Sequence, residues 1–110
     1  MNLFRTFLAI ITLVILGYTA IVGMNHGWNL IPVFFGEMLA MTWSGQFNFD
    51  FLCFLLLSGL WTSWRNSFTP KGLALGALAI FFGIIFLAPY LLILSFKENG
   101  DAKAILVGAR

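Results

Sequence analysis

From Phe7 to Met24 the chain runs without a single charged residue, and it does so again from Leu73 to Phe96, while Phe47 to Trp64 is broken only by Asp50. Runs this long and this apolar leave few folds open. A compact soluble domain needs a polar shell, yet 61% of this chain is hydrophobic and only 9% is charged, with a mean hydropathy of +0.98. Lipid is therefore the expected solvent for most of the surface. Inside a bilayer every backbone N–H and C=O must find its partner within the protein, which leaves helices or closed barrels. The runs show no apolar and polar alternation, so the expectation is an all-α membrane bundle.

Three spans follow, at about 7–24, 47–64 and 73–96. The first would rise about 27 Å as a helix, close to the hydrocarbon thickness, with Arg5 just ahead of it. A signal peptide is the competing reading of this segment, but Tyr18, Thr19 and Ala20 make a poor small-x-small cleavage site. The second opens with Asp50 in its first turn and closes on Trp61, Trp64 and Arg65, a pattern suited to an interfacial anchor. Thr69 and Pro70 break the helix after it. The third would rise about 36 Å, long enough to tilt or bend, and Pro89 removes the hydrogen bond to the Ile85 carbonyl, which predicts a kink there.

Between the first two spans, Asn25, His26 and Gly27 signal a turn, and 32–43 reads as a short interfacial or re-entrant helix. Pro32 suits its first turn, Asn29 its cap, and Trp28 and Trp43 the headgroup level. A fourth span is the alternative, at the cost of burying Glu37. In the tail, Asn99 and Gly100 form a turn and Asp101 a candidate cap before the apolar run 104–107. No repeat or linker divides the chain, so 1–110 reads as a single membrane domain.

The net charge of +2 comes from six basic and four acidic residues, and the basic ones are scattered at segment ends rather than clustered, which argues against nucleic acid as a partner. The connection 25–46 carries no Lys or Arg, so the positive-inside rule faces it away from the cytoplasm. The tail conflicts with this: an odd number of spans puts Lys97, Lys103 and Arg110 on the opposite side from Arg5, Arg65 and Lys71.

Small residues recur at Gly72, Gly76, Ala79 and Gly83, one face of the third span, where another helix can approach closely. Its expected partners are Ala20 and Gly23, or Ser58 and Gly59, with a homo-oligomer contact as the alternative. Acids near a bilayer mark ion or proton pathways in some proteins, which makes Asp50, Glu37 and His26 a candidate polar site. The plainer reading of Asp50 is a structural anion at a helix N-terminus. The spacing of the three matches no metal motif, and His26 in a turn is more often solvated than ligating. Nor does the sequence offer a catalytic site or a cofactor motif: there is no phosphate-cradling glycine loop, no paired helical histidines, and no serine or cysteine with a base beside it. Cys53, the single cysteine, can form no intrachain disulfide.

In outline the chain resembles a bacterial family of small multi-span membrane proteins labelled as a domain of unknown function. An acid opening the second span (Asp50), an aromatic and basic end (Trp61 to Arg65), and a third span with Gly83 and then Pro89, Tyr90 and Leu91 carry that resemblance. It implies a bacterial inner membrane and brings no activity with it. Small multidrug transporters have similar length but look for an acid in the first helix, and 7–24 has none. The expected function is thus a non-enzymatic accessory or structural component of a membrane assembly, in contact with lipid and with other membrane proteins or copies of itself. An oligomeric ion- or proton-coupled carrier or channel using Asp50 and Glu37 is the alternative.

Overall fold

The computed structural model describes residues 1–108, which contain six helices and no strand. Helix α1 (Asn2–His26) takes up the first apolar run and ends where Gly27 turns with φ 87°, its N–H bonded to the Gly23 carbonyl. Of the six, α1 is the one both long and apolar enough to cross a membrane by itself. The Trp28 ring folds back onto Gly23, so closely that a Cβ there would overlap it.

Helix α2 (Ile31–Leu39) carries Pro32 in its first turn, as the sequence suggests, but its cap residue is Leu30 and Asn29 does not cap it. It is also shorter than expected. Met41 adopts φ 58° and reverses the chain. Thr42, extended, then caps α3 (Trp43–Arg65) by accepting a hydrogen bond from the Gly45 N–H. Trp43 is therefore the first residue of α3 rather than the last of the preceding helix. This early start moves Asp50 out of the first turn and about two turns into the helix. Its expected role as an anion facing free backbone N–H groups falls with that displacement.

A Schellman ending closes α3, with Ser67 N–H on the Trp64 carbonyl and Phe68 N–H on that of Ser63. Thr69 caps α4 (Pro70–Phe82) by accepting from the Gly72 N–H at 3.1 Å. The expected third span does not continue as one helix. It stops at Gly83, whose φ 58° and ψ −132° are open to glycine and hardly to anything else, and α5 (Ile84–Lys97) begins at once. Pro89 sits inside α5, so the anticipated kink near Ile85 is replaced by a full break two residues earlier.

The break reverses the chain. Gly72, near the start of α4, lies against Asn66, and the Asn66 amide also donates to the Tyr90 hydroxyl in the middle of α5 at 2.9 Å. Were α4 and α5 collinear, residues 72 and 90 would stand about 27 Å apart. Beyond α5, Glu98 meets Arg65 at the end of α3. Thus α4 and α5 form a helical hairpin with Gly83 at its tip, each limb rising about 20 Å.

Glycines set the packing of this hairpin on α3. A Cβ at Gly76 would overlap Ser63 Oγ and stand 2.9 Å from the Gly59 carbonyl, one at Gly59 would press on Ile80, and Gly83 touches Phe51 and Leu55. The expected small-residue seam therefore meets the Gly59 side of α3. Gly23 is occupied by Trp28 instead. Helix α1 packs along α5 in the opposite sense, its Arg5 joined to Ser95, while α2 covers the beginning of α3. The interior is thin: Leu8, Ala79, Ala88, Leu94 and Ile105 are the buried apolar residues, whereas Leu13, Phe54, Leu57 and Phe81 all point outward.

Candidate functional site

The most elaborated polar region lies where α1 begins and where α3 and α5 end. Helix α6 (Ala102–Val107) is short and capped by Asp101, which accepts from the Lys103 N–H. A helix of this length cannot hold itself together, because its last carbonyls have no partners within it. The Gly108 N–H meets the Ala104 carbonyl, and side chains of α3 supply the remaining donors. The Arg65 guanidinium donates through Nε to the Ile105 carbonyl and through Nη2 to that of Ala104 at 3.1 Å, and Trp61 Nε1 donates to Leu106 at 3.0 Å. Arg65 is 8% exposed and has Glu98 at 3.5 Å. A cation at a helix C-terminus also meets the negative end of the dipole.

Arg5 does the same for α5. Its Nε and Nη2 donate to the hydroxyl and carbonyl of Ser95 at 3.0 and 2.7 Å, and its guanidinium carbon lies 4.1 Å from the centre of the Phe96 ring. Asn99 and Gly100, both at positive φ, complete a Schellman ending there. Sequence reasoning saw Arg5 and Arg65 as membrane-edge charges and missed these roles. The readable signal was Asp101 ahead of a short apolar run, which announces a helix whose far carbonyls need donors.

The residues singled out as a polar site are not gathered in this way. His26 is exposed at the far end of α1, Glu37 is half-buried on α2, and Asp50 is exposed on α3. No group of three His, Cys, Asp or Glu able to hold a metal occurs among the described residues. Glu37 contributes through its backbone, because Gly45 packs against its carbonyl. Two open depressions mark the surface, one between α3 and α4 over Leu56, Gly59 and Ile80, the other over Leu57, Leu60, Trp61 and Trp64. Both are apolar and shallow. No known protein family, characterised protein or solved structure matches the chain.

What this arrangement offers chemically is adhesion. Several polar side chains are spent on helix ends, as in the bonds of Arg5, Arg65 and Asn66, or on their own helix, as where Thr62 and Thr12 donate to carbonyls one turn back. The outward surface is left to Phe, Leu, Ile and Trp.

Proposed function

We propose that the chain is an integral membrane protein acting as a non-enzymatic structural or accessory component of a membrane assembly. The observation that carries this reading is the inverted distribution of side chains: large apolar groups cover the outside of α1 and α3, while the seam between α3 and α4 is closed by Gly59, Ser63, Gly76 and Ala79. In the proposed topology α1 and α3 cross the bilayer, while the α4–α5 hairpin dips in and returns. Hairpin limbs of about 20 Å fall short of a hydrocarbon core of about 30 Å, and their irregular tip at Gly83 is covered by α3, which is what buried non-helical backbone requires.

The hairpin removes the charge conflict seen in the sequence. With the chain turning back at Gly83, Arg5, Arg65, Lys71, Lys97 and Lys103 fall at one end of the bundle, and the positive-inside rule assigns that end to the cytoplasm. A bacterial inner membrane is the setting that the family resemblance implies. The packing of α1 along α5 through Arg5 and Ser95 supports α1 as a retained span rather than a removed signal.

Topology is tested with single cysteines at Ser44, Ser67 and Ala102 in a Cys53→Ser background, probed with an impermeant thiol reagent. Only Ser44 is expected to label from outside; labelling at Ala102 together with Ser44 would restore three full spans. The assembly role is tested by extracting native membranes in mild detergent. Migration in a complex larger than the chain or its dimer is expected, and a solitary monomer would overturn the role.

A second reading, ion- or proton-coupled transport by an oligomer, draws on Asp50 alone in the apolar surface of α3. Flux in proteoliposomes that falls in Asp50→Asn and Glu37→Gln would favour it.

A further inference from the structure

Asp50 has no hydrogen-bond or ion-pair partner among the described residues, although on α3 it stands between the exposed apolar side chains of Phe47 and Phe54. Counting along the helix, it lies about 10 Å below Trp43 and about 22 Å above Arg65. With α3 across the membrane, that depth is inside the hydrocarbon, where an uncompensated carboxylate is costly. Phe47, Asp50, Phe54 and Leu57 follow one another at spacings of three and four, so they line one face, and the three apolar members are 65%, 64% and 62% exposed. The depression over Leu57, Leu60, Trp61 and Trp64 continues this face toward the other end of α3. Cys53 is exposed beside it.

Deepening the accessory role proposed above, and resting on it, we infer that this face of α3 docks a transmembrane helix of a different protein that presents Lys or Arg at the depth of Asp50. Charge complementarity decides the occupant. A second copy of the chain in the same membrane shares its orientation, and the described cations Arg5, Arg65, Lys71, Lys97 and Lys103 then lie at the opposite end, about 20 Å from Asp50 and beyond the reach of a Lys or Arg side chain. A symmetric dimer through this face would set Asp50 against Asp50. The amides nearby do not replace a cation: Asn48 already donates to the Phe34 carbonyl at 3.1 Å, and Gln46 stands a full turn closer to the surface. A foreign cation meeting Asp50 in lipid would instead form a desolvated pair, strong when kept and costly when one member is lost.

The test uses the full chain in its native membranes, with a photoreactive benzoylphenylalanine at Phe54 and a control probe at Leu13, exposed on α1. We expect an adduct from Phe54 to one protein, through a peptide of a hydrophobic helix bearing Lys or Arg. Asp50→Ala should weaken that adduct more than tenfold and Asp50→Glu should keep it. Exchanging the charges, Asp50→Lys with the partner's cation changed to Asp, should restore it. Because Asp50 is exposed, these variants fold, and their elution in detergent checks that. An adduct indifferent to Asp50→Ala, or one made to a second copy or only to lipid, overturns the inference. Protein adducts from Leu13 but not Phe54 would overturn it while leaving the accessory role standing; no protein adduct at either site, with the chain a monomer in detergent, would overturn both.

Discussion

Arg65, the last residue of α3, donates its Nε–H to the main-chain carbonyl of Ile105, and by this bond a short helix unable to persist alone is fastened to the end of α3. The guanidinium fork serves two successive carbonyls and a carboxylate at once. An ammonium cannot reproduce that geometry.

Replacing Arg65 with Ala should therefore release α6 and leave the protein about 1.5–3 kcal/mol less stable, the range for hydrogen bonds to charged groups. Amide exchange over 102–107 should rise in Arg65→Ala and, to a smaller degree, in Arg65→Lys. Unchanged protection in both variants would show that the Trp61 bond and Ile105 burial suffice.

Gly76 lies where α3 and α4 come closest. Substitution by Ala should cost about 1–3 kcal/mol, because the new methyl must displace both Ser63 Oγ and the Gly59 carbonyl, and one of these is main chain. Gly17, which has open space around it, is the control: Gly17→Ala should be neutral or stabilising by up to about 1 kcal/mol. Thermal unfolding in detergent distinguishes the two.

At the hairpin tip, Gly83→Ala should destabilise by about 1–3 kcal/mol, since a side chain is strained at φ 58° and ψ −132° and would also press on Phe51 and Leu55. Pro89→Ala supplies a backbone N–H inside α5 and should be tolerated or stabilising. The reverse ranking in a denaturation series would mean that the reversal depends on the proline after all.

Ser58 carries the one buried side-chain oxygen without a partner among the described residues. Ser58→Ala removes a desolvated hydroxyl and should leave stability unchanged or raise it by about 1 kcal/mol. A loss of stability in the same unfolding assay would reveal a bond formed by that hydroxyl in solution.

Much of this was legible in the sequence. Helical content, the break at Thr69 and Pro70, the Asp101 cap and the small-residue seam are local signals, each written in a few neighbouring residues. The seam's partner could be narrowed but not chosen, because Gly23 and Gly59 look alike until Trp28 is seen to cover the first. The start of α3 was misplaced because nothing in Met41 announces a positive φ, and the shift carried Asp50 with it. The hairpin was hidden for a related reason. A glycine within an apolar run is compatible with a straight helix, a kink or a reversal, and the contacts that select among them, such as Asn66 with Tyr90, join residues distant in sequence. Of the candidate polar site, the sequence supplied the residues but not the helices that carry them, since Asp50 moved deeper into α3 when that helix began at Trp43.

The reversal at Gly83 also bears on how such a chain is made. Segments emerge from the ribosome one at a time, and neither limb of the hairpin is long enough to be accepted as a spanning segment in isolation. In the proposed re-entrant topology the pair must enter together, and the surface that shields its tip, around Phe51 and Leu55, has to be in place first. On the proposed topology insertion acquires an order: α3 is the template, the hairpin closes against it, and only then do the carbonyls of α6 emerge to be caught by Arg65 as a latch on the finished bundle.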